Sequence, residues 1–294
     1  MKTYPEIRTA DGRTLVVHET GAGPGAAEAG AAEPRAAAPA FTLFWHNGSP
    51  HSGELLPPIV EAAEARNIRV VTYARPSYGG SSPNPGRNVA SAASDVASIA
   101  DSLGIERFAV MGASGGGPHA LACAALLPDR VFAAVTLAGV APFTDGFDWF
   151  AGMASPGALQ AARQGRDARA RYAVTEEFDP AVFTPADWAA LDADWRSLGA
   201  DANRAGDAGP DGLIDDDTAF ATDWGFDPAT IATPVLLIHG KEDRMVPASH
   251  SQWLVPRIPA AELWLRPDDG HVSVLHALPL ALDWLAAHED RRAR

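Results

Sequence analysis

Residues 110–119 read VMGASGGGPH. Four glycines surround one serine, directly after an apolar run and directly before a helix-like one. An ordered glycine loses more backbone freedom than any other residue, so such a cluster marks backbone that must do something a side chain would forbid. Four devices fit the composition. A phosphate-cradling loop needs G-x-x-x-x-G-K-[ST]; Gly112 and Gly117 have the spacing, but Pro118 stands at the lysine position. A dinucleotide turn needs G-x-G-x-x-G, and Ser114 occupies its middle glycine. A flexible linker would not join an apolar strand to an apolar helix. Gly112-Ala113-Ser114-Gly115-Gly116 fits G-x-S-x-G on a strand–turn–helix without strain on the pattern. In that turn the serine adopts an unfavourable backbone conformation that lifts its hydroxyl above the sheet. The residues two before and two after crowd together, which Gly112 and Gly116 allow. The N–H of Gly115, at a helix N-terminus, then faces the place where an oxyanion would develop. Pro118 is tolerated in a first helical turn.

A serine hydroxyl needs a base, and the base needs an orienting acid. With this turn, the acid and then the histidine should follow the serine in the chain, each just beyond a strand end. Asp243, in HGKEDRMVP after an apolar strand at 234–239, has the place of the acid; Asp145 and Glu242 are substitutes. Nine histidines compete for the base. His46 and His51 precede the serine, His119 sits on the helix after it, and His250, His276 and His288 fall in helical stretches. His271 alone follows the last strand (262–266), in RPDDGHVSV. A second oxyanion donor is expected from the loop after strand 41–46, HNGSPHSG: the backbone N–H of Ser49, with Asn47 as the alternative.

The rest of the chain supports an open α/β architecture. Two strand-like stretches near 4–9 and 14–19 flank Asp11-Gly12, a hairpin signal. Continuous apolar runs at 41–46, 68–74, 107–112, 131–139 and 234–240 predict a mostly parallel sheet covered on both faces. Helical stretches at 53–66, 89–103 and 115–127 alternate with them, which predicts right-handed crossovers. Residues 142–229 interrupt the alternation with helical pieces, many aspartates and four of the eight tryptophans. The expected organisation is a core in two parts, 1–141 and 230–294, with a helical cap inserted at 142–229. The alanine-rich stretch 21–40 lacks large apolar side chains and is expected to be a mobile surface loop.

At these residues the chain resembles the α/β-hydrolase superfamily over nearly its whole length. GASGGG is similar to that family's nucleophile elbow, GKEDRMVP to its G-x-x-D-x-x-V-P acid loop, and DDGHVSV to its late histidine loop. ARPSYGGSS resembles D-R-P-G-Y-G-x-S, with Ala74 for the aspartate and Ser77 for a glycine. GSP at 48–50 resembles the H-G-x-P oxyanion turn, with Asn47 in place of the histidine. The resemblance implies the α/β-hydrolase fold and a serine hydrolase acting on an ester or related acyl bond, without metal or organic cofactor. Two alternatives remain. One is an aminopeptidase of the proline-iminopeptidase kind, with Glu176 or Glu177 binding the substrate amine. The other is a non-catalytic small-molecule-binding protein on the same fold.

The net charge of −14 argues against nucleic-acid and anionic-membrane partners and leaves a small-molecule substrate. A single cysteine, Cys123, excludes an intramolecular disulfide. With no signal-like start and no long apolar run, a cytoplasmic location is expected. DAGPDGLIDDDT (207–218) partly resembles a calcium loop but lacks its closing glutamate, so it is expected to be a solvated acidic loop. The aromatic residues of 142–229 are expected to form the insertion's own core.

Overall fold

The chain opens with a hairpin. In the computed structural model, which describes residues 1–21 and 38–292, β1 (Lys2–Arg8) and β2 (Thr14–Glu19) pair antiparallel. Gly12, in the turn between them, takes φ 87°, a region glycine enters at no steric cost. The expected loop at 21–40 falls almost wholly outside the described residues.

Six further strands follow: β3 (Thr42–His46), β4 (Arg69–Tyr73), β5 (Phe108–Ala113), β6 (Val131–Leu137), β7 (Val235–Gly240) and β8 (Ala261–Arg266). They complete one eight-stranded sheet in the order β1-β2-β4-β3-β5-β6-β7-β8. β2 runs antiparallel to β4, and every pair from β4 to β8 is parallel. The continuous apolar runs have a direct cause, because side chains alternate between two covered faces. Phe44, Val110 and Leu237 enter one core; Leu43, Trp45, Met111 and Leu236 enter the other. On the first face lie α2 (Ser91–Ser102), α3 (Gly116–Leu126) and α9 (Ser249–Leu254); on the second lie α1 (Pro57–Glu64) and α10 (Leu278–Arg292). This is the α/β-hydrolase fold expected from the sequence, a mostly parallel sheet flanked by helices.

Between β6 and β7 the chain leaves the sheet and forms α4 (Gly157–Ala162), α5 (Arg166–Ala173), α6 (Pro185–Asp192), α7 (Arg196–Asp207) and α8 (Asp211–Phe220). Two expectations about this insertion are corrected. The acidic stretch is not a solvated loop or a calcium loop: Asp211–Phe220 is helix α8, and Asp215, Asp216 and Asp217 are buried. They pay for burial by pairing, Asp215 with Arg166 at 2.7 Å, Asp217 with Arg169 at 2.6 Å, and Asp216 with both Arg75 and Arg87 at 2.5 Å. Nor do the aromatics form a separate core. Trp149 and Trp224 join the core on the α3 side of the sheet, Trp195 joins that on the α10 side, and Trp188 is 39% exposed. The insertion is therefore continuous with both hydrophobic layers. Among the described residues no helix is long and apolar enough to cross a membrane.

Candidate active site

β5 ends at Ala113, and Ser114 turns the chain into α3 with φ 50°. The left-handed region strains any non-glycine residue, and here the surrounding contacts enforce it. The Ser114 N–H donates to the Leu137 carbonyl (2.8 Å), and its carbonyl accepts from the Gly117 N–H (2.9 Å). A Cβ at Gly112 would overlap the Gly116 carbonyl, and one at Gly116 would overlap the His46 carbonyl. Both positions must be bare so that β3, β5 and the start of α3 can meet.

Three side chains predicted from the sequence come together at this turn. His271 Nε2 lies 2.9 Å from Ser114 Oγ, and His271 Nδ1 lies 2.8 Å from Asp243 Oδ2. With Nδ1–H donating to the carboxylate, Nε2 is free to accept from the hydroxyl. Asp243, in the turn after β7, accepts the N–H groups of Met245 and Val246 at Oδ1, both at 2.9 Å. His239 Nε2 stands 3.4 Å from Asp243 Oδ2 while donating to the Val246 carbonyl at 2.7 Å. Asp145 and Glu242, the substitute acids, are exposed. Burial pulls the His271 pKa down, but the charge and hydrogen bond of Asp243 outweigh it and hold the value above 6.5. Burial pushes Asp243 up, and the imidazoles of His271 and His239 reverse this, leaving it well below the ordinary carboxylate range.

The segments expected to supply oxyanion donors lie next to the serine. A Cβ at Gly48 would stand 3.4 Å from Ser114 Cβ, so the turn after β3 passes beside the serine. A Cβ at Gly115 would stand 2.5 Å from Ser49 Oγ and 2.9 Å from the Phe220 ring. Ser49 and Gly115 are thus neighbours, and neither N–H donates to another backbone group among the described residues. Asn47, the alternative, has its side chain committed elsewhere: it accepts from the Trp45 indole (2.8 Å) and donates to Thr72 (3.1 Å).

Two buried carboxylates of the insertion were not anticipated. Asp216 of α8 accepts from Ser49 Oγ at 2.5 Å and from Arg75, whose guanidinium also donates to the carbonyls of Asn47 (2.5 Å) and Gly48 (3.1 Å). Asp187 of α6 accepts from the backbone of Val272 and Ser273, next to His271. Thr184-x-x-Asp187 is a capping pattern that marks the start of α6, but the pattern carries no sign of the second use of Asp187. Of the two carboxylates expected to serve an aminopeptidase, Glu176 pairs with Arg169 at 2.8 Å and Glu177 is exposed.

Residues 42–283 match the model of the alpha/beta hydrolase family. The chain belongs to that family. This hydrolase is similar in fold to several solved structures. A thermophilic esterase from Thermogutta terrifontis superposes with a TM-score of 0.68 at 19% identity, covering 98% of each chain. An enol-lactonase from Burkholderia xenovorans LB400 gives 0.65 at 20% identity, covering 93% of this chain and 96% of its own. A bromoperoxidase from Bacillus anthracis gives 0.69 at 24% identity, covering 97% and 98%. At these identities the likeness is one of fold, and the chemistry of this hydrolase rests on its own residues.

Proposed function

We propose that the protein is a serine hydrolase that cleaves an ester, or a related acyl bond, of a small apolar substrate. The observation that carries this reading is the continuous hydrogen-bonded path from Ser114 Oγ through His271 to Asp243. Ser114 Oγ attacks the acyl carbon as His271 Nε2 takes the hydroxyl proton. The backbone N–H groups of Ser49 and Gly115 receive the oxyanion, and Asp243 stabilises the imidazolium. His271 returns the proton to the leaving alkoxide, which leaves an acyl-enzyme on Ser114. A water, deprotonated by His271, then attacks the acyl carbon and regenerates the serine. The route draws on no metal or organic cofactor. The insertion, 142–229, serves as a cap over Ser114, and the Phe220 ring beside Gly115 favours an apolar acyl group. A cytoplasmic location fits a chain whose one cysteine, Cys123, is buried and free.

The test is rapid-mixing kinetics with short p-nitrophenyl esters beside prolyl anilides. Turnover of the esters with a burst of p-nitrophenol equal to the enzyme concentration supports the acyl-enzyme route. Cleavage of the anilides alone points to the aminopeptidase reading, and turnover of neither to a binding protein.

A further inference from the structure

Asp187 has no solvent-exposed surface, yet its carboxylate is fully partnered. Oδ2 accepts the N–H and O–H of Thr184, both at 2.9 Å, which completes the capping box of α6. Oδ1 has no part in that cap. It accepts the N–H groups of Val272 and Ser273, each at 2.8 Å, and the Ser273 hydroxyl at 2.9 Å. The same hydroxyl oxygen accepts the Gly270 N–H at 2.7 Å. A Cβ at Gly270 would overlap the Asp187 carboxylate, so the loop lies directly against it. The backbone on both sides of His271 is therefore moulded around one carboxylate delivered from the insertion. Asp243 holds only the imidazole Nδ1; nothing in that contact fixes the main chain from which the ring projects.

We propose that Asp187 is a positioning residue for His271: it clamps Gly270–Ser273 so that Nε2 meets the Ser114 hydroxyl, and makes the insertion part of the catalytic scaffold. The proposal rests on the serine-hydrolase reading above. Charge acts in the same direction. The charged groups that bear on His271 are Asp243 from the turn after β7 and Asp187 from α6, and both favour the imidazolium.

The experiment measures the rate at which a fluorophosphonate labels Ser114, with kcat, KM, the pH profile and Tm on a p-nitrophenyl ester. Small displacements of a catalytic group cost large factors, so Asp187→Asn should lower the labelling rate and kcat by about 10–100-fold. KM should stay within about twofold, because substrate binding is not touched. The acid limb of kcat/KM should move to lower pH, since a negative charge beside the imidazole is gone. Ser273→Ala should move the same quantities in the same direction by less. Thr184→Ala, which removes the hydroxyl from the capping box and leaves every contact to Oδ1, should lower Tm and leave kcat and the acid limb in place. Labelling of Asp187→Asn at the wild-type rate overturns the proposal. So does a parallel loss of Tm and kcat in Asp187→Asn and Thr184→Ala with an unmoved acid limb, which is the mark of a purely structural role. If Asp187→Asn does not fold, Ser273→Ala decides, and wild-type labelling there overturns the clamp. A wild-type enzyme that is not labelled at Ser114 sinks the serine reading and the clamp together. A labelled wild type with an unaffected Asp187→Asn sinks the clamp alone.

Discussion

At the scale of single residues, the proposed serine route requires His271 to be neutral when it accepts the Ser114 proton. Its pKa is held above 6.5 by Asp243, against the pull of burial. Raising the pH removes the proton and creates the base, so kcat/KM should climb through one ionisation centred above pH 6.5 and then level off. A pH profile on a neutral ester checks this; a midpoint well below 6.5 would mean that burial, not the carboxylate, governs the imidazole. Ser114, Asp243 and His271 were legible because the geometry of an open α/β sheet restricts where such groups can stand: a bare turn after one strand, then the ends of two later strands. Ser49 was legible only through the loop it occupies. Nothing in the sequence said that its hydroxyl would be spent on Asp216.

At the scale of elements, the turn after β3 is held by a buried ion cluster. Asp216 of α8 receives Arg75 and Arg87 and has no exposed surface. Burial pushes its carboxyl up, and the two guanidiniums overturn this and hold it well below the ordinary range. Removing one member of such a cluster leaves the others charged and unpaired, which costs about 3–5 kcal/mol. Asp216→Ala should therefore lower the unfolding free energy by that order, seen as a fall in the urea midpoint with little change in slope. A change within about 0.5 kcal/mol, typical of a surface site, would show that the cluster contributes no more than an exposed pair. The sequence concealed this contact for a physical reason. Three consecutive aspartates, 215–217, have the composition of a solvated face, and the guanidinium partners of the middle one, Arg75 and Arg87, lie more than a hundred residues from it. Asp187 was hidden in the same way, since Val272 and Ser273 lie far along the chain and meet it with two backbone N–H groups and one hydroxyl, none of them charged.

At the scale of the whole molecule, the sheet was legible because a strand covered on both faces is mostly apolar, as are β3, β5, β6 and β7, which are buried at every position. The insertion was legible as a break in that alternation, but not its aromatic residues, which sit in the sheet's two cores because Trp149, Trp224 and Trp195 reach across to them. The same interior buries titratable groups that set the response to acid. Burial pushes His46 and His250 down to about 3, and His51 and His119 well below 6.5, so all four stay neutral in the folded state. The unfolded chain takes up protons on them below about pH 6.5, which makes stability fall as pH falls. Asp217, pushed up to about 7 by burial, and Asp95, raised for the same reason, act in the opposite sense because the folded state holds their protons. Four histidines outweigh two carboxyls. The unfolding free energy should fall as pH is lowered between about pH 5.5 and 4.5. Urea titrations across that range read it directly, and constant stability there would show that the buried histidines are protonated in the folded state.

The most direct measurement is peptide mapping after exposure to a fluorophosphonate, with ester turnover of Ser114→Ala alongside. One phosphonyl group should appear, on the peptide carrying Ser114, with loss of activity in proportion. Ser114→Ala should remain unlabelled, keep its fold and lose of order 10⁴–10⁶ in kcat. Label on another residue, or a Ser114→Ala variant that retains most of its turnover, would contradict Ser114 as the nucleophile.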